Sequence, residues 1–406
     1  MKILIVSQYF WPEDFRINET ISFFKKRNHE VTVLTGKPNY PEGKIFKDFR
    51  DRPDDYKFYK GAQIIRLPII SRGKTKFKLV LNYLSFILLG SFAGITSLRK
   101  KKFDVIFVYE PSPITVGIPA IFISKLSKTP IVFWALDLWP ETLEALGIIK
   151  SRFIIGIFKK LANFIYNSCT LVLCQSKSFV ENISGYLEDK SKAKYFPSWS
   201  EDIVVDENTK KASEISDDPY SFKIIFAGNL AEAQDLDTVL RAIEIAKDDH
   251  KLIWYFIGDG RSSNWLKKEI ENRCLNKQVK VLGRYPASRM PSFFSHADAL
   301  LVSLKKSKAF SMVIPAKIQT YLKSGIPLIG VLDGDGRKVI DESNAGITCK
   351  AGDHLALAKI FQEINKLPKE TLKIMGDNGK IYAKQFFDKE SQLLELENLF
   401  HEASKA

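Results

Sequence analysis

The sequence predicts an α/β protein built from two doubly wound parallel-sheet domains in tandem. Three observations predict it. Short β-branched runs alternate with helical stretches through both halves of the chain. These runs are apolar throughout instead of alternating, so helices should cover both faces of each sheet. At 406 residues the chain is also too long for one ordinary core, which favours two domains of slightly under about 200 residues each.

In the first half the expected strands are KILIV (2–6), EVTVLT (30–35), QIIRL (63–67), DVIFVY (104–109), PIVFWA (130–135) and TLVLC (170–174), with RINETISFFKKRN as the first clear helix. Residues 1–200 form the first domain. MKILIVSQYF runs from a buried strand directly into charged sequence, which is not a secretory pattern, and a cytoplasmic start is expected. The uncharged stretch from Leu79 to Leu98 is marginally long enough to span a bilayer, and it is flanked by Lys74, Lys76 and Lys78 and by Arg99 to Lys102. Asn82, two glycines and basic residues at both ends argue against spanning; a buried core helix and an interfacial segment on acidic headgroups remain as alternatives.

Residues 201–221, EDIVVDENTKKASEISDDPYS, are polar and aperiodic and read as the linker. The second domain, 222–385, repeats the alternation: FKIIFAG, a helix from Asp235, KLIWYFIG, a helix from Asn264, VKVLG, a helix at Pro291, ALLVSL, a helix at Pro315, PLIGVL, a short helix near Arg337, and GITCK. Residues 386–406 form a terminal helix expected to pack back toward the first domain. Tandem domains of this kind bring their strand carboxyl ends to a shared cleft, so function is expected in the loops after strands.

The balance of 61 Lys+Arg against 47 Asp+Glu gives a net charge of +14, which calls for an anionic partner: nucleic acid, an acidic membrane surface or phosphorylated small molecules. Basic residues are dispersed and no nucleic-acid module signature occurs, so nucleic acid is the weakest of the three. Cys169, Cys174, Cys274 and Cys349 form no C-x-x-C pair and read as reduced thiols. His29, His250, His296, His354 and His401 read as surface or packing residues.

Three loops have the chemistry of anion cradles: Ala227-Gly228-Asn229-Leu230, Gly258-Asp259-Gly260-Arg261 and Asp333-Gly334-Asp335-Gly336-Arg337. Glycine admits close backbone approach, and the following helix directs free N–H groups at a diphosphate. The dinucleotide fingerprint G-x-G-x-x-G is absent, because Ser263 stands where its third glycine would be. Asp333 and Asp335 make a D-x-D pair without a third carboxylate, so no metal site is expected. In FWALDLWPETL (133–143) Asp137 stands among large apolar side chains, where an ionised carboxylate needs a partner or a task.

Six blocks carry a resemblance: SQYFWPEDFRINE (7–19), NHEVTVLTGKPNYPEGK (28–44), LDLWPETLEALG (136–147), FAGNLAEAQDLDTVLRA (226–242), FIGDG (256–260) and IPAKIQTYLKSGIPLIG (314–330). Together they resemble a bacterial family-4 retaining glycosyltransferase of the GT-B fold, within it the subgroup of L-fucosamine (N-acetyl-L-fucosaminyl) transferases of O-antigen and capsule assembly. The resemblance implies an acceptor in the first domain, a UDP-sugar as donor substrate in the second, and no metal or other cofactor. It implies a catalytic Asp137 and Glu110, and an acceptor side of Glu13, Asn18, Asn39, Tyr40, Trp139 and Glu141. Donor-binding positions are Gly228, Asn229, Gln234, Gly258, Gly260, Arg261, Pro315, Lys317, Thr320, Asp335 and Gly336.

The chain departs from the family's pattern at several places. Leu136 replaces the histidine that usually precedes the aspartate; Asn229 and Gln234 replace the diphosphate arginine and lysine; Met312 and Thr320 replace the E-x7-E pair. Lys317 and Arg261 are the cations available to compensate. The expected activity is transfer of a 6-deoxy-2-acetamido hexose from its UDP-sugar to a polyprenyl-diphosphate-linked saccharide, on the cytoplasmic face of an anionic membrane surface. A UDP-sugar 2-epimerase of the same architecture and a basic nucleic-acid-binding protein are the rival readings.

Overall fold

Lys2–Val6 (β1) lies at the centre of the first sheet, with Ile3, Leu4, Ile5 and Val6 fully buried. Burial of each such side chain contributes roughly 1.5–3 kcal/mol, which is why an unbroken apolar run becomes a central strand. In chain order the sheet continues with Glu30–Gly36 (β2), Phe58–Tyr59 (β3), Ala62–Leu67 (β4), Val105–Glu110 (β5), Ile131–Ala135 (β6), Leu171–Cys174 (β7) and Ala193–Tyr195 (β8). The spatial order is β3-β4-β2-β1-β5-β6-β7-β8, parallel except for β3 against β4. The computed structural model describes residues 1–405 apart from Lys74, Asp202, Val204 and Glu207. Lys74 of the expected lysine flank, those three residues of the expected linker and Ala406 of the terminal helix lie outside the described residues.

The chain divides into two compact units, Met1–Phe196 with everything from Leu393 onward, and Pro197–Gln392. The second contains Phe222–Ala227 (β9), Leu252–Ile257 (β10), Val279–Gly283 (β11), Ala299–Ser303 (β12), Leu328–Val331 (β13) and Gly346–Cys349 (β14), in the order β11-β10-β9-β12-β13-β14. Its pairings are all parallel. In each sheet the winding reverses direction once, between β1 and β5 and between β9 and β12. Such a switch point opens a crevice at the carboxyl ends of its two strands, where ligands of open α/β sheets bind.

Two strands escaped the sequence. β3 and β8 have two and three residues, too few to show a period, and they exist because a neighbouring edge was available for pairing. The stretch 201–221 differs from a free linker. Ala212 and Ile215 are buried, the Ala212 N–H donates to the Ser292 carbonyl (2.9 Å), and Glu214 pairs with Arg289 (2.9 Å), so it packs along the second unit. Its apolar contacts are isolated single residues, which leave no periodic signal. His296 packs there too, its Nε2 against the Ala212 carbonyl at 2.9 Å.

In the final helix, Lys389–Lys405, Phe400 stacks on Phe24 (5.4 Å between ring centroids) and tilts against Phe107 (5.1 Å). Glu397 accepts from Arg27 Nε (2.7 Å) and lies 2.6 Å from His29 Nε2. The Leu79–Leu98 segment is a helix, Lys76–Ile95, the one helix among the described residues long and apolar enough to cross a membrane. One face packs on the helix Gly117–Ser127, where Gly90 and Gly94 meet Pro119 and Ile123. The opposite face exposes Phe77, Val80, Leu84, Leu88 and Phe92, so the helix is neither a plain core helix nor free of the domain.

Candidate functional site

In the first unit the expected residues gather at the carboxyl ends of β1, β2, β5 and β6, and they do different work. Glu13 is buried with its carboxylate accepting the N–H groups of Asn39 (2.7 Å), Tyr40 (2.7 Å) and Phe10 (3.1 Å). Burial raises its pKa and those three donors oppose the rise. Asn18 bonds the Trp11 N–H (3.0 Å) and the Glu13 carbonyl (2.7 Å), while Asn39 bonds the Lys37 carbonyl (2.7 Å) and the Arg72 N–H (2.9 Å). These three side chains hold the loops after β1 and β2 in place. Tyr40 is the member that presents a ring, which packs on Tyr9 at 5.2 Å and Phe15 at 5.3 Å.

At the end of β5, Glu110 is fully buried; its Oε2 accepts the Asp137 N–H at 3.2 Å and its Oε1 has no hydrogen-bond partner among the described residues. Burial first, then the neighbouring Asp137 charge, push the Glu110 carboxyl well above its ordinary range. Asp137, half-buried in the loop after β6, accepts the Thr142 hydroxyl at 2.6 Å; burial raises its pKa to about 6. Two carboxyls whose proton affinities burial raises thus lie side by side, an arrangement able to accept a proton from, or orient, a bound hydroxyl. Trp139 packs edge-on to Phe158 at 5.5 Å. Glu141 accepts the Tyr186 hydroxyl at 2.6 Å and keeps Oε2 buried without a partner.

The second unit assembles its residues around β9. Gly258 at φ +141° packs so closely on Gly228 that a Cβ would lie 1.8 Å from the Gly228 carbonyl oxygen, an approach open to glycine alone. The Gly258–Gly260 loop is stitched to the Gly228–Leu230 loop by Leu230 N–H to Asp259 O (3.0 Å) and Ser262 N–H to Leu230 O (2.9 Å). Ser263 explains the missing third glycine: its hydroxyl accepts the Gly260 N–H (2.8 Å) and donates to Asp259 (2.6 Å), closing the loop by side-chain bonds. Asn229 and Arg261 stand exposed at the rim.

Lys317 brings an ammonium to these loops. It extends from the first turn of the helix Ala316–Ser324, places Nζ 3.7 Å from the Phe226 ring centroid and donates to Gln234 Oε1 at 3.0 Å. A Cβ on Gly228 would sit 3.4 Å from that Nζ. Lys317 thus meets Gln234, where the sequence resemblance expects a lysine, from another element. Burial lowers its pKa to about 7. The next residues of the helix divide in role: Thr320 is buried with its hydroxyl on the Ala316 carbonyl (3.4 Å), and Tyr321 both donates to the Ala227 carbonyl and accepts its N–H (2.9 Å each).

Gly336 packs on Pro315 and Val313 at the start of the helix Gly334–Glu342, with Asp335 buried beside it and paired to Lys338 at 3.3 Å. Arg337, expected as a phosphate cation, turns away to Thr348 (3.0 Å) and Asp341 (3.3 Å). Its place within that helix and beside β14 decides this, which the short helix read near Arg337 from sequence does not show. Among the described residues no group of three or more His, Cys, Asp or Glu could hold a metal ion.

Residues 206–382 match the family model for glycosyl transferases group 1. The match lies within the second unit and covers less than half of the chain. The chain is similar to WbjE of Pseudomonas aeruginosa, named a probable glycosyltransferase, at 26% identity over 59% of this chain and 61% of the relative. It is similar to WcaI of Escherichia coli (strain K12), assigned by name to colanic acid biosynthesis as a glycosyl transferase, at 27% identity over 80% of this chain and 82% of that one. The chain thus spans less than two thirds of WbjE and most of WcaI. Among solved structures, Anabaena HepE in complex with UDP and glucose superposes with a TM-score of 0.68 at 15% identity, covering 99% of both chains. The fold is GT-B. The residues around β9, Lys317 included, lie inside the matched glycosyltransferase domain.

Sequence reasoning did not single out Arg72 and Tyr9, which join the cluster around Tyr40, or Tyr83. Burial raises the Tyr83 phenol, and the charges of Arg72, Asp137 and Glu110 all act on it. An aromatic hydroxyl inside the uncharged Leu79–Leu98 stretch was the available signal.

Proposed function

We propose that this protein is a retaining, metal-independent glycosyltransferase of bacterial surface polysaccharide synthesis. It moves a sugar, a 6-deoxy-2-acetamido hexose such as N-acetyl-L-fucosamine, from a UDP-sugar to a polyprenyl-diphosphate-linked saccharide. One observation carries the reading: Lys317, the two glycine loops and Gln234 converge on one point beside β9, within the matched glycosyltransferase domain. The names of WbjE and WcaI support polysaccharide synthesis, and the UDP held by HepE supports the donor nucleotide.

In this reading the Lys317 ammonium stabilises the diphosphate as it leaves, which is where charge develops, and the glycine loops, lacking side chains there, let it come close. Asp137 orients the accepting hydroxyl, with the buried Glu110 carboxyl behind it. The residues' main contribution is positioning. The exposed apolar row of the helix Lys76–Ile95, with Lys76 and Lys78 at its start, supports peripheral binding to the cytoplasmic face of an anionic membrane.

The test is incubation with a panel of UDP-sugars, with and without a lipid-diphosphate saccharide, and mass spectrometry of the products. Transfer predicts a glycosylated lipid and release of UDP that depends on the acceptor. Conversion of a UDP-sugar to its 2-epimer without acceptor would overturn it in favour of an epimerase.

A further inference from the structure

Arg72 lies in the segment joining β4 to the helix Lys76–Ile95. Its backbone N–H is fixed by Asn39, its guanidinium carbon lies 5.2 Å from the Tyr40 ring centroid, and its Nη1 lies 3.5 Å from the Tyr9 hydroxyl. No carboxylate among the described residues forms an ion pair with it. Arg66, its neighbour across the same loops, differs: it donates to the Gly36 carbonyl (3.1 Å) and the Trp11 carbonyl, and feels the Glu13 charge. A half-buried guanidinium seated on an aromatic ring, with its charge unmatched, is built for an anion that arrives from outside, and its planar fork suits phosphate oxygens.

Two further features lie beside it. The apolar helix is tied to the segment that carries Arg72, since the Ile70 N–H donates to Ser85 Oγ (3.0 Å) and Asn82 Nδ2 donates to the Ile70 carbonyl (2.5 Å), and the charges of Arg72 and Asp137 both act on its Tyr83 phenol. The same helix begins four residues after Arg72 and carries the exposed row Phe77, Val80, Leu84, Leu88 and Phe92. One unit therefore presents a carboxylate, a guanidinium and an apolar row together. A sugar joined to a lipid through phosphate presents a hydroxyl, an anion and a hydrocarbon in the matching order; a neutral oligosaccharide lacks the last two.

We infer that Arg72, seated on Tyr40 and Tyr9, binds the phosphate or diphosphate that joins the lipid to the accepting sugar. This rests on the transferase reading and names its acceptor as an anionic lipid glycoside held by its phosphate. The same chemistry is found in the headgroups of bulk acidic lipid, and the experiment separates the two sources.

Calorimetry on the full chain with geranyl diphosphate, a short soluble prenyl diphosphate, is the direct probe. Arg72→Gln should weaken it by roughly 10- to 100-fold, the loss expected for a charge-assisted hydrogen bond. Arg72→Lys should recover part of the affinity, with UDP affinity and thermal midpoint unchanged in both variants. Vesicles of phosphatidylglycerol and of phosphatidylcholine form the second arm, in which Arg72→Gln should sediment like wild type. Equal affinity of wild type and Arg72→Gln for geranyl diphosphate overturns the inference. So does loss of vesicle binding with unchanged geranyl diphosphate affinity, which would make Arg72 a headgroup contact. A fully active Arg72→Gln transferase refutes this site and leaves the transferase reading standing, whereas a wild-type protein that binds no UDP and transfers no sugar refutes that reading.

Discussion

Lys317→Met should make the ligand-free protein more stable and at the same time a poorer binder of UDP. Methionine keeps the length of the stem and its contact with Phe226 while removing the ammonium. Burial lowers that ammonium from 10.5 to about 7. At ~1.4 kcal/mol for each pH unit, holding it charged in the native state costs several kcal/mol, of which solvent at the half-buried site screens part; a net gain on the order of 1–3 kcal/mol is expected for the variant near pH 7. The sign follows from proton counts. Between pH 7 and 10.5 the unfolded chain holds the proton that the folded chain has released, so wild-type stability rises with pH across that window. The advantage of methionine is thus fullest at and below pH 7 and gone by pH 10.5. Binding runs the other way. A diphosphate beside Nζ draws the proton back, so UDP affinity of the wild type should fall as pH rises above 7, and the variant should bind ~10- to 100-fold more weakly at pH 7 with no such slope. Urea unfolding and calorimetry in buffers of different ionisation enthalpy measure both. A variant that is less stable, with UDP affinity unchanged, would make Lys317 a packing residue and refute the reasoning.

Asp137→Asn retains an acceptor for the Thr142 hydroxyl, so the thermal midpoint at pH 7 should hold or rise, because a carboxyl raised to about 6 loses stability as pH climbs from its unfolded value of 3.8 through 6. Initial rate should drop at least tenfold with UDP affinity unchanged, and the wild-type rate should decline as pH falls through about 6; a stable, fully active variant sinks the catalytic role. Gly258→Ala places a Cβ 1.8 Å from the Gly228 carbonyl oxygen at φ +141°, and a loss of at least ~1–3 kcal/mol together with UDP binding is expected in urea titrations; wild-type behaviour would show that the two loops are loosely coupled. Leu88→Ser with Phe92→Ser should reduce sedimentation with phosphatidylglycerol vesicles, and high salt should release part of the wild type by screening Lys76 and Lys78. Equal sedimentation of the double variant and wild type would remove this face from the membrane.

The long buried strands were legible because burial on both faces requires an unbroken apolar run, and KILIV or PIVFWA cannot easily be anything else. The edge strands β3 and β8 were not, since two or three residues carry no period and exist only by pairing. The glycine loops were legible as loops, and Ser263 was visible as a departure; that its hydroxyl closes the Gly258–Gly260 loop was not.

Within the candidate site, residue type by itself marked Asp137 as needing a partner or a task, while the absence of cations at 229 and 234 was legible only through the family resemblance. Only the tertiary structure decided which side chains take up those roles. It brought Lys317 to Gln234 across 83 residues, bonded Arg337 to Thr348, engaged Glu13 with three backbone donors, and left the Arg72 guanidinium on Tyr40 with no ion-paired carboxylate among the described residues. The physical reason is range. Propensity and hydrophobic period are set by neighbours a few residues apart, and they specify strands, turns and the faces that must be buried. A charge acquires its partner, its pKa and its chemistry from groups that lie within a few ångströms in space, and those are known only when the sheet order has placed distant loops side by side.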